Sequence, residues 1–250
     1  LYRHYSNNYR QLWGAAMAES SSMQGEQGAT LLIDGSLNHG WQLQGTADCW
    51  HFTQPQYGCY QKSWGYELSA RALWNGTLGA WPSDLSLRYR MKAKQKNNTL
   101  TEKTDDVYGC YLHSVDSRFS LEVYEGLVLR TQARMRLYNA QIASTNEVGW
   151  AVGEAIVWQQ KNSPIKGEVQ GAWFKANDYN CRLYFTERNI LYGFSMPMLY
   201  GEGMRVSATM SYKISERIQA EAKYALTNYK NQSKVGSGLQ TIEGCTKHDL

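Results

Sequence analysis

The residues of this sequence with chemistry to offer are five histidines, five cysteines, a few serines and several rows of arginine and lysine. A general base must reach its nucleophile within a hydrogen bond, and zinc ligands recur at short fixed spacings. His4, His39, His51, His113 and His248 are scattered, and none stands at metal-ligand spacing from a Cys or Asp. Cys49, Cys59, Cys110, Cys181 and Cys245 include no C-x-x-C pair, so they read as scattered thiols or one adventitious disulfide. Glu19 to Ser22 is serine-rich but lacks the Gly-x-Ser-x-Gly elbow of a hydrolase. Ser207 and Ser211 have no histidine in phase on a neighbouring segment. Gly236-Ser237-Gly238 is not followed by the Lys-Ser/Thr of a phosphate loop. The expectation is a protein that is not an enzyme, with no metal site and no cofactor.

The charged rows are more informative. Arg88, Arg90, Lys92 and Lys94 alternate with apolar residues, as do Arg130, Gln132, Arg134 and Arg136. Lys166 and Glu168, Arg205 and Lys213, and Glu221 and Lys223 continue the habit. Successive strand side chains point to opposite faces, so each row lies on one face of a strand. At the centre of a bilayer an outward Arg or Lys costs about 2–4 kcal/mol. If these strands cross a membrane, the rows must line an interior or rise above the lipid. Two readings follow: a positive wall that passes or binds an anion, or a filled interior in which Glu67, Glu168 and Glu221 neutralise the cations. The second is favoured, because barrels of fewer than roughly sixteen strands tend to be filled.

The elements that carry these rows are strands. Val206, Ala208, Met210, Tyr212 and Ile214 oppose Arg205, Ser207, Thr209, Ser211 and Lys213. Past Ser215-Glu216, Ile218, Ala220, Ala222, Tyr224 and Leu226 oppose Arg217, Gln219, Glu221, Lys223 and Thr227. Strands are predicted near 10–19, 28–37, 41–52, 64–74, 84–95, 105–114, 118–138, 147–160, 164–175, 203–214 and 217–229, with another starting at 245; period-2 alternation supports them except over Gln11 to Glu19, which has no clean phase. Within 118–138 the phase breaks at Glu125-Gly126, which suggests a bulge. From Trp150 to Trp158 either face suits lipid. Short links (Asn38 to Gly40, Asn75 to Ser83, Val115 to Ser117, Lys161 to Ser163, Ser215-Glu216) alternate with long polar ones, the longest being Lys175 to Glu202. Outer-membrane barrels alternate short periplasmic turns with long external loops. Lys175 to Glu202 is therefore the expected external recognition surface.

Bulk composition agrees. The chain has 18 Tyr and 9 Trp, only 4 Pro, 19% charged residues and a net charge of +4. Its mean hydropathy is −0.56. That charge is too mild for a nucleic-acid surface, and no apolar run approaches the roughly 18 residues of a membrane helix. Trp41, Trp64, Tyr66, Trp81, Tyr89, Trp173, Tyr212 and Tyr224 gather near strand ends, where a membrane barrel carries aromatic girdles. A soluble β-sandwich or lipocalin-like binder would show the same alternation with its apolar face inward.

The stretch Asn189-Ile190-Leu191-Tyr192-Gly193-Phe194-Ser195-Met196-Pro197, then Tyr200-Gly201-Glu202-Gly203, Tyr212-Lys213-Ile214-Ser215 and Val235 to Gly244, resembles a family of outer-membrane proteins of Gram-negative, Bacteroidota-type bacteria. In that family a periplasmic helix-hairpin-helix region, similar to ComEA-like DNA-uptake proteins, precedes a C-terminal β-barrel. Ala18-Glu19-Ser20-Ser21 and Glu26-Gln27-Gly28 look like its first external loop. The resemblance implies a bacterial outer-membrane location, outer-membrane lipid as a partner, and a link to DNA uptake through an upstream domain. The helix-hairpin-helix segment is absent here, so no residue of this sequence inherits DNA binding.

The expected fold is therefore all-β: an antiparallel up-and-down transmembrane β-barrel with about twelve strands in one domain, 1–250, read as a fragment with its last strand cut. The expected function is passage or capture of a solute or polymer. The alternative is a plugged barrel that anchors a periplasmic domain. The predicted interior residues are Arg88, Arg90, Lys92, Arg130, Gln132, Arg134, Arg136, Lys166, Glu168, Arg205, Lys213, Glu221 and Lys223, with an anionic solute as the small-molecule partner.

Overall fold

The computed structural model describes residues 1–11, 17–98, 106–143, 146–194, 196–230, 232–236 and 241–249. The strands are β1 (Tyr2–His4), β2 (Glu26–Ser36), β3 (Trp41–Phe52), β4 (Trp64–Leu78), β5 (Trp81–Asn97) and β6 (Val107–Tyr124). They continue as β7 (Leu127–Ala140), β8 (Glu147–Trp158), β9 (Ile165–Ala176), β10 (Leu183–Tyr184), β11 (Met198–Leu199) and β12 (Gly201–Lys213). The last are β13 (Gln219–Tyr229), β14 (Lys234–Val235), β15 (Ile242–Glu243) and β16 (Thr246–Asp249). One 3₁₀ turn, Tyr179–Cys181, interrupts this all-β order.

Twelve strands form one antiparallel meander in the order β1-β2-β3-β4-β5-β6-β7-β8-β9-β12-β13-β16, each beside its chain neighbour. β10 with β11, and β14 with β15, make two small hairpins outside the sheet. Among the described residues no pairing joins β1 to β16. Short turns alternate with long connections over most of the meander, but the links on either side of β8, 141–146 and 159–164, are equal in length, so the expected alternation fails there.

Three expectations are corrected. The strand predicted at 10–19 is replaced by β1 at Tyr2–His4; Arg10, Gln11 and residues 17–19 lie outside strands, and residues 12–16 lie outside the described residues. Gln11 to Glu19 has no sustained alternation to bury, whereas β1 brings Arg3 to carboxylates on β2 and β3. Val115 to Ser117 is not a link, because β6 runs straight through it. The predicted 118–138 strand is instead divided by a tight turn at Glu125-Gly126, where Gly126 takes φ 76°. That left-handed conformation suits glycine, and the Glu122 carboxylate accepts the Gly126 N–H at 2.9 Å. The third correction concerns the long connection after β9, which turns inward (below).

The two faces of the sheet differ sharply. The apolar face is open: Leu31, Leu43, Leu68, Leu87, Val115, Met135, Val152, Ile156, Val169, Val206 and Met210 are all exposed. The polar face is the covered one, with Arg205 at 4% exposure against 38% for its neighbour Val206 and 52% for Met210. Glu26, Gln132, Glu168, Gln170, Ser207, Thr209, Ser211 and Thr227 are buried on that same side. In β8, where the sequence left the phase open, Trp150, Val152, Ile156 and Trp158 face outward and Ala151 and Ala155 face the covered side.

Candidate functional site

The site is the covered polar face and the chain that fills it. The register places its side chains in rows. Arg88 on β5 stands opposite Asp116 on β6, which stands opposite Arg134 on β7. Arg90, Ser114 and Arg136 form the next row, and Arg71 on β4 stands opposite Arg88. Across the sheet, Arg205 on β12 pairs in register with Thr227 on β13.

The connection between β9 and β12 folds over this face instead of extending away from it. Its residues Leu183, Phe185 and Leu199 are almost completely buried and pack with Ala151, Ala172 and Phe174. Small side chains on β8 and β9 make the room: a Cβ on Gly153 would stand 2.7 Å from the Phe185 ring. Polar groups then register the segment strand by strand. Gln132 on β7 and Gln170 on β9 both donate to the Thr186 carbonyl, at 3.1 and 3.3 Å. Arg134 donates to the Tyr184 carbonyl and to Thr186 Oγ1. Thr209 on β12 donates to the Arg188 carbonyl at 3.1 Å, and the Leu191 N–H donates to Glu221 on β13. These bonds satisfy backbone groups that would otherwise be buried without partners.

Glu187 is the strongest anchor. Arg205 donates to both of its oxygens, at 3.0 and 2.9 Å, and Lys223 reaches it at 2.6 Å. Arg205 also holds Thr227 at 2.7 Å and Asp249 at 2.8 Å. Bidentate guanidinium–carboxylate pairs are both strong and directional. Burial acts to raise the Glu187 pKa, but the hydrogen bonds from Arg205 and then Lys223 outweigh it and hold the carboxyl below the ordinary glutamate range.

A second cover comes from the chain before β2. Arg3 binds Glu26 at 2.7 Å and Asp48 at 2.6 Å, and the Glu26 carboxylate accepts the N–H groups of Glu19 and Ser20. Glu19 in turn reaches Lys92 at 2.6 Å. This network was not legible beforehand, since Arg3 lies in a segment without alternation.

All thirteen predicted interior residues fall on strands and faces that can be read directly. Arg90 pairs with Glu67 at 2.5 Å, Lys92 with Glu19, Arg130 with Glu168 at 3.1 Å, and Arg134 with Asp116 at 3.5 Å. Gln132, Arg205 and Lys223 hold the inward segment, and Arg136 lies 5.8 Å from the Tyr184 ring. Glu221 accepts from Leu191 and Gln219 and, among the described residues, forms no ion pair. Lys213 pairs with Glu216 on the exposed turn, and Lys166 and Arg88 are exposed. Sequence reasoning missed Glu187, Asp116, Asp249, Arg71 and Arg118. Arg71 and Arg118 alternate with apolar neighbours much as Arg88 does, and that signal would have found them.

All five cysteines are free thiols. Among the described residues no group of three His, Cys, Asp or Glu is placed to hold a metal. His113 and His248 instead share hydrogen bonds with Tyr89 and Tyr224 on the apolar face, at 2.8 and 2.7 Å. No family model, curated protein or solved structure matches this chain.

Proposed function

We propose that this chain is a bacterial outer-membrane β-barrel whose interior is occupied by its own connections, and that it captures a ligand there without catalysis. The observation that carries the reading is the inversion of the sheet: Val206, Met210, Leu87 and Val152 are open while Arg205, Glu168 and Gln132 are covered. A soluble β domain buries its apolar face, and leaving this one in water would forgo about 25 cal/mol for every Å² of apolar surface. In lipid the same face is already solvated.

Two dimensions support this. Trp64 and Trp74 bracket the apolar face of β4, ten residues apart. At about 3.3 Å per residue that is roughly 33 Å along the strand, or about 25 Å normal to a bilayer at a tilt near 40°. A barrel's apolar band is about 25 Å tall. Closure would pair the edges of β1 and β16, since lipid offers backbone groups no partner. The inward segment favours capture or anchoring over free diffusion. The family resemblance adds a link to DNA uptake through an upstream domain.

The test is migration on detergent gels with and without heating, together with insertion into lipid vesicles. A faster-migrating unheated form that protects the strands from protease is expected. A single unfolded-like band at both temperatures, with the chain free in the aqueous fraction, would sink the reading. In planar bilayers the filled interior predicts small conductance, and a large steady pore would show that the segment does not occupy it.

A further inference from the structure

The two covers leave part of the polar face open, and that part is basic. The segment from Leu183 to Leu191 spans β7, β8, β9, β12 and β13, while Glu19 reaches β5 only at Lys92. Between them stand Arg71 on β4, Arg88 on β5 and Arg118 on β6, bordered by Arg134 and Arg136 on β7 at the edge of the inward segment. Their register is continuous: Arg71 faces Arg88, Arg88 faces Asp116, and Asp116 faces Arg134. Arg118 faces Gln132 in the adjoining row. Asp116 ion-pairs with Arg134 at 3.5 Å and also acts on Arg136, while Asp84 and Glu168 act on Arg118 from farther off without an ion pair. Among the described residues no ion pair engages Arg71, Arg88, Arg118 or Arg136. Neighbouring cations are already spoken for, Arg90 by Glu67 and Arg130 by Glu168.

Arg71, Arg88 and Arg118 are exposed on this open part of the face, and like charges held side by side repel one another, a repulsion that a bound anion relieves. Guanidinium groups suit an oxyanion because their planar N–H forks match its oxygens, whereas a lone halide uses one contact at a time. Forks on neighbouring strands, with Arg71 directly opposite Arg88, match a group with more than one negative charge. We infer that the wall formed by Arg71, Arg88, Arg118 and Arg136 is a binding site for a multiply charged oxyanion of the phosphate class. This deepens the capture proposed above and rests on that reading only for the enclosure of the polar face.

The experiment titrates inorganic pyrophosphate into the full chain folded in neutral detergent, by calorimetry, at low and moderate salt. Saturable binding is expected, weakening as salt screens the wall. The triple variant Arg71→Gln, Arg88→Gln, Arg118→Gln should bind at least tenfold more weakly, while Lys161→Gln, on the exposed turn after β8, should bind as the native chain does. Neutralising mutually repelling charges does not threaten the fold, and heat-modifiable migration of the same samples checks it. A native chain that takes up no pyrophosphate, or a folded triple variant within twofold of it, overturns the site. Migration behaviour judges the membrane reading separately: a chain that binds yet stays out of lipid keeps the anion site and loses the barrel, and one that inserts without binding does the reverse.

Discussion

Glu187→Gln tests whether the inward segment is held by charge. The Glu187 side chain is 2% exposed and its partners Arg205 and Lys223 are 4% and 10% exposed. Gln keeps the shape and one carbonyl acceptor but leaves two cations together on a covered face. Removing one partner of a buried ion pair costs about 3–5 kcal/mol, most of it from the charge left uncompensated. Here the lower end applies, because Arg205 retains Asp249 and Thr227 and Lys223 retains Asn189. A loss of about 3 kcal/mol raises the population of the opened segment roughly 100-fold. The Phe185 amide, bonded to the Pro197 carbonyl at 3.1 Å, is a suitable reporter by hydrogen exchange. Its exchange should quicken about 100-fold while amides in β3 and β4 stay protected. Adding Lys223→Met should return part of the protection by removing the excess charge. Exchange within twofold of the native chain at Phe185, or loosening spread evenly over every strand, would refute the anchoring argument.

Acid should release the same segment. A carboxyl whose pKa is lower in the folded chain than in the unfolded one stabilises the fold above its unfolded pKa, and that contribution is lost as pH falls through the depressed folded value. For Glu187 protection of Phe185 should therefore be full at neutral pH and fall below the ordinary glutamate range near pH 4.3, reversibly, with Glu187→Gln flat across that window. Gly153→Leu should expel the segment by overlap with the Phe185 ring, costing about 1–3 kcal/mol as overpacking does and opening residues 183–191 to limited proteolysis. The medium on the apolar face is tested by Met210→Arg, which should cost up to about 2–4 kcal/mol of unfolding free energy in lipid vesicles and almost nothing if that face meets water. Glu154, exposed on β8 between Val152 and Ile156, gives the opposite sign: Glu154→Leu should raise stability in vesicles, measured by urea unfolding, and an unchanged midpoint would argue that this position does not face hydrocarbon.

Alternation and link length alone specified most of the sheet. Once Arg205, Ser207, Thr209 and Ser211 share a face and short turns alternate with long links, neighbouring strands can pair only antiparallel and in chain order. The same signal misplaced one turn, because Glu125-Gly126 reads equally well as a bulge inside one strand or the turn between two. Only pairing partners for β6 and β7 separate the two. It also left β8 undecided, since Val152 and Ile156 on one face and Ala151, Ala155 and Val157 on the other are both apolar. Packing chose the small residues for the covered side because Phe185 and Leu183 must fit there.

The path of the long connection after β9 was beyond the sequence for a different physical reason. A polar loop rich in Asn, Tyr and Arg is equally suited to extend into solvent or to turn back. What turns it back is the meeting of Glu187 with Arg205 and Lys223, and of Thr186 with Gln132 and Gln170, residues on separate strands. Those partners become neighbours only after β7, β9, β12 and β13 have aligned. Local pattern thus determined most of the strands and their two faces, and tertiary structure decided the first strand, the phase of β8 and what lies upon the polar face.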